Sequence, residues 1–168
     1  NKMEKRLLEN PMIKNAEVYI TVDGVLGANV IQRRPIARVE GIPNFYLDED
    51  GKKMPLSTVH SARVPIVTGI SGNQFAEVAE LVKKITNDEF MEKYVIGLDV
   101  MPDGDLFLRI RKNEFKVLFG KSKNIETKFQ KFKAFYKLTK KDSLLDTYSL
   151  INLNNDYTMD INDLKYKI

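Results

Sequence analysis

The sequence predicts an α+β fold, because segments of helical periodicity alternate with short strand-like runs that are separated by turn signals. Near the start, "AEVYITV" (16–22) alternates, and Asp23-Gly24 follows it as a hairpin turn. From Tyr94 onward, "YVIGLDVM", "DLFLRIR" and "EFKVLFG" read as three strands, and the short turns between them predict an antiparallel meander. The chain has 168 residues, 43% of them hydrophobic, which suffices to bury a core without staples. One face of the first strand is expected to be half-buried and carries Val18, Ile20 and Val22.

The absence of cysteine excludes several classes of site. It leaves no disulfide framework, no cysteine-based zinc site and no thiol nucleophile. No run approaches the ~20 consecutive apolar residues that cross a bilayer, and the opening "NKMEKRLLEN" lacks the apolar centre of a signal peptide. Because the chain starts without methionine and inside a helix-like pattern, we expect it to be part of a longer protein.

The first part of the chain predicts a helix and a hairpin that end at a proline. Residues 3–9 have a helical pattern, Asn10-Pro11 interrupts it, and Val25–Arg33 can return as the second strand. Pro35 has no amide hydrogen and biases Arg34 toward an extended conformation. The second strand must therefore end here or change its partner.

An acidic turn follows at Asp48-Glu49-Asp50-Gly51. Three carboxylates before a glycine are reminiscent of a calcium loop, but such a loop needs a glutamate at its twelfth position. Counting from Asp48 or from Asp50, the twelfth residue is Val59 or Ser61. The turn is therefore interpreted as the tip of a surface hairpin, and no metal site is predicted.

The segment "VPIVTGISGN" (64–73) has the glycines of a phosphate-binding loop but not its lysine–serine ending. It predicts a short strand that leads into a helix, with Asn73 as the N-cap. The helix runs from Gln74 to about Thr86. Its buried face is expected to carry Phe75, Val78, Ala79, Val82 and Ile85.

The positive charge is concentrated in one segment. Residues 121–141 hold eight lysines and one acid, net +7, so the rest of the chain, whose total is +4, sums to −3. Such a helix could neutralise phosphates of a nucleic acid or an anionic surface. The alternative is a helix that lies on a sheet with a solvated cationic face. Its apolar stripe would be Ile125, Phe129, Phe132 and Tyr136.

No catalytic arrangement is evident in the sequence. His60 is the only histidine, and although Ser57, Ser61 and the 48–50 carboxylates are near it in sequence, a solvated loop histidine is the expected role. The acidic pairs Asp88 with Glu89 and Asp103 with Asp105 occupy turn-like segments, where carboxylates are usually solvated. These residues therefore point to no particular reaction and to no cofactor.

Several ordered segments resemble one family. "NPMIKNAEVYITVDGVLGANVIQRRPIARV" is similar to the extracytoplasmic part of the FtsQ/DivIB bacterial cell-division proteins, in which a POTRA domain passes through an Arg-x-Pro-[VI]-Ala junction into a β-domain. Arg33-Arg34-Pro35-Ile36-Ala37 matches that junction. "FYLDEDG", "VPIVTG" and "VLFG", the last followed after seven residues by Lys128, resemble later segments of the family, most closely in its Bacteroidetes branch.

The resemblance implies a division into two parts. Residues 1–34 would be a truncated POTRA domain of one helix and a β-hairpin, and residues 35–168 a mostly antiparallel β-domain with two packed helices. Arg33, Arg34 and Pro35 would form the domain junction. The full-length protein would be a single-pass protein of the inner membrane with this part in the periplasm.

The resemblance also implies a scaffold of the divisome that is not an enzyme and has no cofactor. It would bind FtsB/FtsL-like proteins and other septal proteins, not nucleic acid, and help regulate septal peptidoglycan synthesis. In the family, the last strands and the helix before them receive the FtsB-like partner, and we expect the partner to bind by strand addition at the sheet edge. The segment "TYSLINLNN" (147–155) reads as that strand, and the alternative is a strand buried by the domain itself. The implied partner-binding residues are Tyr148, Leu150, Asn152, Asn154 and Tyr157. "INL" and "LKYK", adjacent in the usual family ending, are separated here, which leaves the partner's register and the role of the tail 156–168 open.

Overall fold

The chain forms two β-sheets that are joined at Arg33–Arg34, and the computed structural model describes residues 1–59 and 61–154. In that part of the chain, the helices are α1 (Lys2–Leu8), α2 (Phe75–Thr86), α3 (Glu89–Tyr94) and α4 (Ile125–Lys141). The strands are β1 (Ile13–Ile20), β2 (Leu26–Gln32), β3 (Pro35–Val39), β4 (Phe45–Asp48), β5 (Lys53–Met54), β6 (Ile66–Thr68), β7 (Val95–Val100), β8 (Leu106–Ile110), β9 (Lys116–Gly120) and β10 (Leu150–Asn152). The α+β class is confirmed.

The small sheet is the predicted hairpin of β1 and β2, with α1 packed against β1. Glu4 of α1 accepts a hydrogen bond from the Val18 amide at 3.1 Å. The expected half-buried face is correct for Val18 but wrong for Ile20 and Val22, which are exposed. One short helix covers only the middle of one face of this two-stranded sheet, so the residues at the end of the hairpin stay exposed.

The second strand ends where the proline predicts. β2 stops at Gln32, and β3 begins at Pro35 in the large sheet, where it pairs with β4. Because proline offers no amide for a ladder bond, this is a natural point for the chain to leave one sheet and enter another.

The large sheet has eight strands within the described residues, in the order β10-β9-β8-β7-β6-β3-β4-β5. The predicted antiparallel meander is β7-β8-β9. β10 is parallel to β9, because α4 carries the chain back across the sheet between them. β6 is parallel to both β3 and β7.

The three later helices cover one face of this sheet. In β8, Leu106, Leu108 and Ile110 point into the core, while Phe107 and Arg109 lie half-buried on the opposite face. Helix α2 buries the predicted residues Val78, Ala79, Val82 and Ile85 and also Leu81. Asn73 is not the N-cap of α2: it lies in a 3-10 turn that starts at Ser71, whose amide donates to Gln74 Oε1 at 3.0 Å.

Candidate partner-binding edge

β10 forms one edge of the large sheet, with β9 on its inner side. Its pairs are Leu150 with Lys116, Ile151 with Val117 and Asn152 with Leu118. In residues 1–59 and 61–154, no strand pairs with its outer side. An unpaired strand edge is a surface on which a further strand can add.

The hydrogen bonds show which backbone groups face outward. Lys116 donates to the Ser149 carbonyl at 3.1 Å, and the Leu153 amide donates to the Leu118 carbonyl at 2.8 Å. In a strand, successive residues direct their N–H and C=O groups to opposite sides. Ser149, Ile151 and Leu153 therefore face β9, and the N–H and C=O groups of Leu150 and Asn152 face outward.

The core holds β10 in this register. Ile151 and Leu153 are fully buried in the cluster that α4 covers. Just before the strand, a 3-10 turn at Leu145–Thr147 is closed by a hydrogen bond from Thr147 Oγ1 to the Leu144 carbonyl at 2.6 Å. Within the described residues, the regular strand is shorter than the predicted 147–155, because the 3-10 turn takes Thr147 and the ladder with β9 pairs only 150–152.

Tyr148 precedes the strand and is 8% exposed. Its ring packs on Phe135 of α4 with the centroids 5.0 Å apart, and its hydroxyl is buried without a hydrogen bond among the described groups. A partner lying along the outer edge would thus meet the backbone near Tyr148 rather than its ring. Tyr148 resembles a core anchor of the strand more than an exposed contact residue.

The other predicted contact residues differ in accessibility. Leu150 and Asn152 are half-buried, and Asn154 is exposed. Asn152 Oδ1 accepts the Asn154 amide at 2.8 Å, which closes a local turn directly after the strand. Tyr157 lies outside the described residues.

Gly120, the last residue of β9, lies against the turn that follows β10. The sequence did not predict it as part of the site. Its φ is +71°, and a Cβ there would lie 2.3 Å from the side-chain oxygen of Asn154. The left-handed conformation and the close approach both favour glycine at this position. A glycine directly after a strand pattern was the only available signal.

Next to β10, the face of the sheet away from the helices carries apolar side chains that the sequence did not predict as part of the site. Leu118 of β9 lies beside Asn152, and Phe107 of β8 lies beside Leu118; both are half-buried on the face away from the helices. Leu150 belongs to the same face by alternation. The outward edge and this partly apolar face are therefore contiguous.

At the other end of the domain, the junction residue Arg33 is held by an ion pair. Arg33 Nη1 lies 2.5 Å from Asp48 Oδ2, and Asp48 is 2% exposed. Asp48 Oδ1 accepts the amides of Asp50 at 3.0 Å and Lys52 at 2.8 Å. Burial on its own would raise the pKa of Asp48, but these amides and Arg33 outweigh it and hold the pKa below its usual value.

The acidic turn is the predicted hairpin, between β4 and β5. In the part of the chain that the structure describes, no group of three or more histidine, cysteine, aspartate or glutamate side chains is arranged around a metal position. Lys14 of β1 lies 3.1 Å from Asp50, so the hairpin tip also touches the small sheet.

The basic helix α4 buries its predicted stripe on the sheet: Phe129, Phe132 and Tyr136 are buried and Ile125 partly so. Several lysines of residues 121–141 form hydrogen bonds or ion pairs. Lys128 is buried and donates to the Lys121 carbonyl at 2.8 Å, Lys121 pairs with Asp105 at 3.2 Å, and Lys133 pairs with Asp88. These contacts reduce the charge that the helix could offer to a polyanion.

Asp88 is thus not a merely solvated carboxylate: it caps α3. Its side chain accepts the amides of Phe90 and Met91 at 3.1 and 3.0 Å. Burial opposes ionisation, but the contact with Lys133 and these amides outweigh it and lower the pKa of Asp88. His60, the other residue considered for chemistry, lies outside the described residues.

These features define a class: an α+β domain whose sheet ends in a core-anchored edge strand, with a short hairpin unit before it. Residues 34–159 match the family described as FtsQ/DivIB, C-terminal related, and the chain therefore belongs to that family. Membership gives it a role in bacterial cell division, in a family that works in divisome complexes and is generally a non-enzymatic scaffold.

A comparison with curated proteins finds no match. None of the helices in residues 1–59 and 61–154 has the length and apolar character to cross a membrane.

Proposed function

We propose that this chain is the extracytoplasmic part of a non-catalytic divisome scaffold that binds FtsB/FtsL-type proteins by strand addition to β10. Through that contact it connects its partners to septal peptidoglycan synthesis. The observation that carries the proposal is the outward-facing backbone of Leu150 and Asn152 at a sheet edge that the core holds in register.

Backbone hydrogen bonds at this edge can supply only part of the binding free energy. The N–H and C=O groups of Leu150 and Asn152 offer four hydrogen bonds, each worth about 0.5–1.5 kcal/mol net, so together about 2–6 kcal/mol. A micromolar complex needs about 8 kcal/mol. The remainder would come from side chains of the partner on the contiguous face that Leu118, Phe107 and Leu150 line.

The proposal includes the arrangement of the whole protein. Residues 1–34 are part of a POTRA domain and residues 35–168 are the β-domain, with Arg33, Arg34 and Pro35 at the junction. The change of sheet at Pro35 and the start of the family match at residue 34 support this division. The full-length protein is anchored in the inner membrane by a single helix outside this sequence, and the part described here lies in the periplasm.

The test is a binding measurement with the periplasmic segments of the FtsB/FtsL-type proteins of the same organism. Asn152→Pro removes an amide that faces outward, whereas Asn152→Ala removes only the side chain. We expect proline to weaken binding at least tenfold and alanine to weaken it less, as measured by isothermal titration calorimetry. Circular dichroism and the melting temperature establish that both variants are folded.

Ile151→Pro is the matched comparison, because the Ile151 amide faces β9 and its loss breaks the internal ladder. It should lower the melting temperature clearly, while Asn152→Pro should melt close to Asn152→Ala, since both lose only the side chain that accepts the Asn154 amide. A folded Asn152→Pro variant that binds the partners as tightly as the parent would refute pairing at this edge.

A further inference from the structure

A cleft of about 550 Å³ opens where the central strands β3, β6 and β7 of the large sheet begin, away from the β10 edge. It exists because β6 starts late. β3 begins at Pro35 and β7 at Val95, whereas β6 first pairs with them at Ile66. Both neighbours therefore project past β6, and the segment that leads into β6 lines the space between them.

The cleft has an apolar floor with few backbone donors. Ile85, from the end of α2, and Val95 are buried and line it. Ile36 and Val64 add half-buried apolar walls. Two of the wall residues, Pro35 and Pro65, have no amide hydrogen.

The hydrogen-bond donors come instead from three arginines. Arg34 follows β2, Arg63 precedes β6 and Arg111 follows β8, and all three are exposed while lining the cleft. Among residues 1–59 and 61–154, none of the three is in an ion pair with a carboxylate; Arg111 Nε donates to the Lys93 carbonyl at 3.0 Å. Arginine offers a planar, permanently charged fork that matches a carboxylate.

Two glutamates, Glu49 and Glu92, also line the cleft. They disfavour a small multivalent anion such as phosphate, because like charges repel. They suit a peptide, whose backbone N–H groups can donate to them while its acidic side chains meet the arginines. The apolar floor then has room for an aliphatic side chain of that peptide.

We propose that this cleft binds an acidic, extended peptide segment of a partner protein. It is a second site, separate from the β10 edge, since most of its lining residues lie at the start of the central strands β3, β6 and β7 or just before them. The guanidinium groups supply the attraction to carboxylates, and the floor selects an apolar residue beside them.

The test is a titration of the ¹⁵N-labelled chain, followed by NMR, with a capped tetrapeptide of alternating leucine and aspartate. We expect shifts of the amides of Ile36, Val64 and Val95 and an affinity that falls as salt rises. The same peptide with asparagine in place of aspartate should bind at least tenfold more weakly. Inorganic phosphate should cause no comparable shifts; equal binding of phosphate or of the neutral peptide would overturn the assignment.

Variants locate the site. Arg63→Gln and Arg111→Gln should each weaken the acidic peptide about tenfold, since a hydrogen bond to a charged group is being lost. Arg38→Gln is the matched control, because Arg38 lies in β3 but does not line the cleft, and it should leave the affinity unchanged. Asn152→Pro should also leave it unchanged, which separates this site from the proposed edge. Affinity that is insensitive to both cleft arginines would refute the proposal.

Discussion

The ion pair between Arg33 and Asp48 joins the segment after the small sheet to the first hairpin of the large sheet, and it gives the sharpest stability prediction. Asp48 is nearly inaccessible and the Arg33 side chain is 13% exposed, so the pair is largely shielded from water. Asp48→Asn keeps an oxygen for the amides of Asp50 and Lys52 but removes the charge opposite Arg33. Breaking one partner of such a pair costs about 3–5 kcal/mol. Because the hairpin bonds survive, we expect about 3 kcal/mol.

The assay is thermal and urea unfolding of the parent and the variant. For a chain of this size, 1 kcal/mol corresponds to about 2–4 °C, so the melting temperature should fall by about 6–12 °C. Glu49→Gln is the matched control: its partner Lys14 is 3.6 Å away and both side chains are substantially exposed, so its loss should cost under about 1 kcal/mol.

The pH dependence follows from the direction of the Asp48 shift. Its pKa is lowered in the folded chain by the amides and Arg33, against burial. A lowered carboxylate pKa stabilises the fold fully above the unfolded value of about 3.9, and this contribution is lost as the pH falls toward the folded value. The difference between parent and Asp48→Asn should therefore be constant near neutrality and shrink below about pH 4. A variant no less stable than Glu49→Gln, or a difference that grows on acidification, would refute the reasoning.

Three further changes test the packing of the edge strand and of helix α4. Ile151→Ala, at a fully buried position, should cost about 2–5 kcal/mol in urea unfolding, and a loss below 1 kcal/mol would show that the core does not anchor β10. Gly120→Ala should cost about 1–2 kcal/mol because its φ is +71°, and should shift the Asn154 amide resonance; an unchanged spectrum would contradict the close approach. Lys128→Met should cost about 1–2 kcal/mol, since the Lys121 carbonyl loses its donor and the ammonium lies 4.7 Å from the Phe119 ring centroid. Lys137→Met, at an exposed position of the same helix, should be neutral, and equal effects of the two would contradict a structural role for Lys128.

Local chemistry accounts for much of what the sequence predicted correctly. The α+β class, the meander and the apolar stripe of α4 follow from the spacing of the apolar residues. That spacing is two residues in a strand and 3.6 in a helix wherever one face is buried. The sheet change at Pro35 follows from a missing amide hydrogen, and Asp23-Gly24 supplies the conformation of the first turn. The Asn73 N-cap was wrong, because a 3-10 turn starting at Ser71 precedes the helix and local patterns do not separate the two.

Tertiary structure alone decided which groups meet across long separations. The sequence by itself determined that a final strand exists near residue 150, but not that it runs parallel to β9 at the sheet edge, because pairing depends on where α4 returns the chain. The Arg33–Asp48 pair, the packing of Tyr148 on Phe135 and the approach of Asn154 to Gly120 likewise carry no short-range signal. Each depends on burial, which sets the strength of a charge pair and the accessibility of a ring, and burial is a property of the assembled layers rather than of any single segment.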